Sequence, residues 1–185
     1  MPFMNFLPED ATQLHLFEKY PESSKLILEF TEVLLRGPSP FTVAERELIG
    51  AFTSNLNGCQ FCFGVHAAAA EHFGVDPALL ESLLEDIETA AIDDKLKPIL
   101  RYVRKLTLDP TRMTQADADA ILDAGWDEDA FHHVVSVCAL FNYYNRVING
   151  HGIKGSPVYL EECGKRLASS GYASIMDMLK NTMDR

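Results

Sequence analysis

Apolar residues recur at three- and four-residue spacing along most of the chain, and no run of alternating β-branched residues is bounded by turn signals. This pattern predicts an all-α fold. Helices are expected over 11–20, 22–36, 43–56, 60–73, 77–89, 95–108, 115–124, 128–149, 157–169 and 174–183. Helix-breaking chemistry separates them: Gly37-Pro38-Ser39-Pro40, Asn57-Gly58, Gly74-Val75-Asp76-Pro77, Asp109-Pro110, Gly125, the segment 150–155 and Gly171. Asp76-Pro77 pairs an N-cap residue with an N1 proline, a specific helix-start signature. No separator is long or low-complexity enough to join two domains, and no fixed-period repeat is present. The chain reads as one domain, with a core over about 22–108 and C-terminal helices over about 115–183 packing on it.

Composition narrows the class. The chain has 185 residues, 47% of them hydrophobic, enough for a core without disulfides or metals. Sixteen Lys and Arg against 27 Asp and Glu give a net charge of −11, which disfavours nucleic acid. The longest apolar run, Val134 to Phe141, is interrupted by Ser136 and is too short for a membrane span. Residues 1–10 lack the basic and apolar regions of a secretory signal. A soluble, cytoplasmic protein is therefore expected. Its four cysteines, at 59, 62, 138 and 163, do not form a disulfide framework in a reducing compartment. Cys138, among valines and leucine, reads as a small buried hydrophobe, and Cys163 as a bystander.

Cys59 and Cys62 are different. A bond between them would enclose only two residues and make a poor staple, so the pair suits redox exchange or a metal. Asn57-Gly58 ends one helix and the cysteines open the next, placing Cys59 at the cap and Cys62 in the first turn. Unpaired N–H groups and the positive end of the helix dipole favour a thiolate there. The cap position also predicts that Cys59 is the more exposed thiol. His66, four residues beyond Cys62 and seven beyond Cys59, shares their helix face and stands one turn from Cys62, where it can take or relay a proton. The preceding helix, with Phe41, Ala44, Leu48, Phe52 and Leu56 as its apolar stripe, offers Glu45 or Glu47 to hold the imidazole. They lie about 60° and 100° to either side of Leu48, so the wheel leaves the choice open.

The spacing Glu47, eleven residues, Cys59-x-x-Cys62-x-x-x-His66 resembles the redox motif of the AhpD-like alkylhydroperoxidases of the carboxymuconolactone decarboxylase superfamily. Residues 45–49 and the later Phe141-Asn142-Tyr143-Tyr144-Asn145-Arg146 resemble the longer, peroxidase-related branch. The resemblance selects Glu47 over Glu45. It implies an all-helical fold assembled into trimers or hexamers, Cys62 as peroxidatic residue, Cys59 as resolving residue, and Glu47 and His66 as proton relay. Well-characterised members carry histidine directly before the second cysteine, where this chain has Phe61. The superfamily's decarboxylases lack the cysteine pair, which disfavours lactone decarboxylation.

The leading expectation is thus a thiol-dependent peroxidase or disulfide oxidoreductase acting on (alkyl) hydroperoxides. It needs no bound cofactor, but does need an external dithiol of lipoyl or thioredoxin type. The competing reading is a non-catalytic redox sensor, or a structural zinc module using Cys59, Cys62, His66 and Glu47. Asn142, Asn145 and Asn149 share a face of the 128–149 helix and suggest an oligomer contact or an internal hydrogen-bonding stripe, with Arg146 pairing with an acid. The apolar segment 134–141 suggests a homo-oligomer held by helix packing.

Overall fold

The structure, a computed structural model, describes residues 1–183. Ten α-helices and one 3₁₀ turn, with no strand among the described residues, make the fold: α1 (Gln13–Lys19), α2 (Pro21–Arg36), α3 (Val43–Leu56), α4 (Gln60–His72), α5 (Pro77–Glu85), α6 (Leu96–Leu108), α7 (Gln115–Asp123), α8 (Glu128–His151), α9 (Pro157–Ser170) and α10 (Ala173–Met183). None of the described helices is long and apolar enough to cross a membrane.

The expected 77–89 helix stops at Glu85. There Asp86 accepts from the backbone N–H of Glu88 at 3.0 Å and from the Thr89 hydroxyl at 3.1 Å, so its side chain competes with helix continuation. At its other end Asp76 accepts from Ala78 N–H at 2.9 Å, as the Asp-Pro signature predicts. α8 runs two residues past Asn149 and ends where Gly152 takes a left-handed φ of 67°.

The helices surround a single hydrophobic core, with α8 running through it. Val134, Val137, Cys138, Leu140 and Phe141 are all buried within this chain, so most of the apolar run of α8 is core, with Val135 half-buried and Ala139 exposed. The exposed apolar residues include Leu26, Phe30 and Val33 on α2, at helical spacing along one face.

Two close approaches position the site. A Cβ on Gly50 of α3 would overlap the Phe141 ring, so glycine there lets α8 close onto α3. A Cβ on Gly164 would come 2.6 Å from Ala68 Cβ and 2.7 Å from the Val65 carbonyl. Leu160 lies against Gly64 just as Gly164 lies against Ala68, so α9 runs parallel to α4 in tight contact with the small residues 67–70.

Candidate functional site

The turn between α3 and α4 is built from Asn57 and Gly58, whose φ of 64° suits a residue without Cβ. It leaves Cys59 as the N-cap of α4, its N–H donating to Ser54 O at 2.9 Å and its carbonyl accepting from Phe63 at 2.9 Å. Cys62 sits one turn in, and His66 one turn further. Both thiols are free and buried, Cys59 at 0% and Cys62 at 3% exposure. The cap position therefore does not expose Cys59, whose side chain is buried although the flanking Gly58 and Gln60 are exposed.

Glu45 and Glu47 separate cleanly. Glu45 is the capping-box residue of α3, accepting from Thr42 N–H at 2.7 Å and from the Thr42 hydroxyl at 2.9 Å. Glu47 is fully buried, with Oε2 2.6 Å from His66 Nδ1 and Oε1 2.6 Å from Arg36 Nη1. Burial alone would raise its carboxyl pKa. The neighbouring His66 and Arg36 outweigh burial and hold it below the ordinary carboxylate range. An ionised carboxylate can only accept, so Nδ1–H of His66 is the donor and Nε2 is left to exchange a proton. The Phe141 ring meets the imidazole edge-on at 4.5 Å, fixing its plane.

Sequence reasoning missed Arg36. At the end of α2 it looks like an ordinary cation at a helix C-terminus, and nothing in the local pattern points to Glu47 eleven residues on. Its guanidinium also donates to Leu167 O at 3.0 Å and lies over the rings of Phe73 and Tyr172, each 5.4 Å away. Asn145 is the second addition. Its amide donates to Ser54 Oγ at 2.9 Å and its carbonyl accepts from Asn57 at 2.9 Å. It also hydrogen-bonds to the cysteine pair, favouring the thiolate forms. The three asparagines of the stripe thus all bond within the chain, Asn145 from a buried position and Asn149 from an exposed one. Arg146 does not find an acid there, and donates instead to Asn142 Oδ1 at 2.7 Å.

The two thiols share a proton. A hydrogen bond from Cys62 lowers the pKa of Cys59 to about 7, against burial that raises it, while the same bond, burial and the Cys59 charge push Cys62 well above the usual thiol range. The reduced pair is expected to lose its first proton near pH 7, followed as thiolate absorbance near 240 nm. In Cys62→Ala the midpoint should move upward as the donor is lost, and an unchanged midpoint would refute the shared proton.

A narrow cavity of about 40 Å³ opens between α1, α4, α9 and α10. Cys62 and His66 line it, together with Phe17, Leu28, Phe61 and Tyr159, whereas Cys59 does not. A single water needs roughly 10–15 Å³, so this space admits a peroxide group without rearrangement. Phe61, in place of the histidine of related chains, is buried and packs on Tyr159 with ring centroids 6.0 Å apart. Cys163, expected as a bystander, also lines this cavity, with Arg166 Nη2 3.3 Å from its sulfur. Among the described residues, no three His, Cys, Asp or Glu side chains converge as metal ligands. Both Glu47 oxygens already face His66 and Arg36.

Comparison with known proteins bears on the family and the fold. Residues 21–105 match the model of the carboxymuconolactone decarboxylase family. Protein YdfG of Bacillus subtilis (strain 168) is 24% identical over 137 residues, covering 74% of this chain and 92% of the relative. A peroxidase-related protein from Silicibacter sp. TM1040 has the same fold, with a TM-score of 0.74, 24% identity, and coverage of 80% of this chain and 78% of that one. A second similar structure, described as the alkylhydroperoxidase AhpD core of a peroxidase-related protein from Ralstonia eutropha JMP134, gives a TM-score of 0.72 at 20% identity, covering 81% and 78%. Over α2 to most of α6 the chain is thus similar to the carboxymuconolactone decarboxylase family, and it carries the AhpD-like fold of these structures.

Proposed function

We propose that the protein is a thiol-dependent peroxidase that reduces hydroperoxides through Cys62 and Cys59. The observation that carries this reading is that Cys62 and His66 line one cavity while the imidazole is fixed from behind by the buried, ionised Glu47 at 2.6 Å. Of the resting pair Cys59 is the thiol that ionises first, and Cys62 the one that keeps its proton. His66 Nε2 takes the Cys62 proton, and the new thiolate attacks the terminal oxygen of the hydroperoxide. The O–O bond breaks, an S–O bond forms, and the leaving alkoxide recovers the proton from His66 and departs as alcohol. Cys59 thiolate then attacks the Cys62 sulfur, breaking the S–O bond and forming a disulfide. The released hydroxide takes a proton from solvent and leaves as water. An external dithiol of lipoyl or thioredoxin type restores both thiols by exchange and is itself oxidised to a disulfide.

Rapid mixing of the reduced protein with hydroperoxides, followed by a screen of dithiol reductants, tests the reading. Fast loss of two thiols per chain, regenerated by one class of dithiol, is expected. Stoichiometric zinc in the purified protein, or thiols that react no faster than free cysteine, would overturn it in favour of a structural or sensing role.

The assembly belongs to the same proposal. With most of the α8 run buried, the face of α2 carrying Leu26, Phe30 and Val33 is the surface that a homo-oligomer, trimeric or hexameric by resemblance, would bury. Light scattering at micromolar concentration should give a multiple of the chain mass, and Leu26→Asp with Val33→Asp should reduce it to the monomer. A monomeric wild-type protein would refute the assembly.

A further inference from the structure

The wall of the cavity beside Cys62 carries residues that the peroxide chemistry leaves unused. There Arg166 Nη2 donates to Cys163 Sγ at 3.3 Å, while Arg166 Nε is buried with no hydrogen-bond partner. Tyr172 lines the same cavity. It is 5% exposed, and its hydroxyl too is buried without a partner. That hydroxyl lies within the electrostatic reach of Cys163 and of the Glu47–Arg36 pair. The other tyrosine hydroxyls of the cavity are occupied: Tyr144 bonds Thr31 Oγ1 at 2.7 Å, and Tyr159 is held by Thr12 and Arg166.

Two orphaned polar groups on residues that line one largely apolar cavity describe the requirements of a ligand. A buried polar group left unpaired costs about 1–3 kcal/mol, and the Arg166 N–H can be relieved only by an acceptor. Burial holds the Tyr172 phenol protonated, so it too has a hydrogen to offer one. The guanidinium adds a charge that prefers an anion, and the cavity lining contains no Asp or Glu to supply one. This occurs in a chain whose net charge is −11, where an acid-free wall around a half-buried arginine is not the average surface. Around the donors the lining is apolar, with Leu14, Phe17, Leu167 and Ile175.

We propose that Arg166 and Tyr172 bind the carboxylate of a small acid with an apolar body, seated in the cavity that leads to Cys62. Resting on the peroxidase reading, this makes the substrate a hydroperoxide whose body carries a carboxylate, its peroxide group at Cys62 and His66 and its anionic end at α9 and α10.

Isothermal titration of the reduced protein with hexanoate and with hexanamide, in the absence of peroxide, tests the site. Hexanoate should bind about tenfold more tightly than its uncharged amide, since a charge-assisted hydrogen bond is lost in the amide. Arg166→Met should remove that difference, Tyr172→Phe should weaken hexanoate severalfold, and Lys165→Met, on the exposed face of α9, should change neither. Should Arg166→Met fail to fold, Arg166→Lys replaces it, with an affinity between wild type and the amide. Equal affinities for acid and amide in the wild-type protein, or a Lys165→Met loss as large as that at Arg166, would overturn the proposal. Because no peroxide is present, hexanoate binding by a chain that reduces no hydroperoxide would leave the carboxylate site standing and remove the peroxidase reading alone.

Discussion

Glu47→Gln is expected to slow peroxide oxidation of Cys62 by about 10²–10⁴-fold, the usual worth of a positioned proton relay, while keeping both thiols and the fold. The amide is nearly isosteric, so the loss is one of charge. Without the carboxylate charge at 2.6 Å the imidazole keeps at most a neutral amide acceptor, and its protonated form loses the anion that stabilises it. The double variant with His66→Gln should be little slower than either single one, because the two act as a unit. Additive losses, or wild-type rates in Glu47→Gln, would remove Glu47 from the mechanism.

The same substitution leaves Arg36 half of a broken buried ion pair, and urea unfolding at neutral pH should report a loss of about 3 kcal/mol. The pH dependence has a definite sign. Glu47 is held below the ordinary carboxylate range in the folded protein, so its contribution is fully present above that range. It is lost as the pH falls through the lower folded value. The stability gap between wild type and Glu47→Gln should accordingly be constant near neutrality and close in acid, and a gap that widens in acid would contradict the ionised assignment.

The second large effect divides the cysteines. Cys59→Ser should still react with hydroperoxide and stall as a Cys62 sulfenic acid, trapped by dimedone, because the resolving thiol is gone. Cys62→Ser should not consume peroxide rapidly even though Cys59 remains. Two physical criteria compete here. Acidity favours Cys59, which the Cys62 hydrogen bond draws down to about 7. Access favours Cys62, which lines the cavity with His66 while Cys59 is sealed at 0% exposure. Access decides first, since a thiolate that no peroxide reaches does not react, and the Cys59 charge is better placed for the resolving attack. Accumulation of the trapped sulfenic acid in Cys62→Ser, with an inert Cys59→Ser, would reverse the roles.

The helices were legible because each is written locally, in three- and four-residue apolar spacing and in Asp, Pro and Gly punctuation. The end of α5 was not, since Asp86 stops it through its own side chain within an otherwise favourable run. The apolar stretch of α8 was legible as apolar, but whether it met the chain's own core or a second copy depends on which helices surround it. Within the site, the register of Cys59, Cys62 and His66 is intrahelical and follows from 3.6 residues per turn.

Everything that crosses between helices needed the fold. The wheel alone left the choice between Glu45 and Glu47 open, and only packing shows one capping its own helix and the other buried against His66. Arg36, Asn145, Arg166 and Tyr172 carry no motif, because their roles come from distances across the core between residues far apart in the chain. By itself the sequence determined an all-helical, acidic chain with a cysteine pair opening a helix and a histidine one turn beyond. Tertiary structure decided which carboxylate faces that histidine, which sulfur meets the cavity, and that Cys163 stands on its wall. The physical reason is that periodicity reports a side chain's direction around its own axis, whereas burial and partners depend on what the neighbouring helices bring to that face.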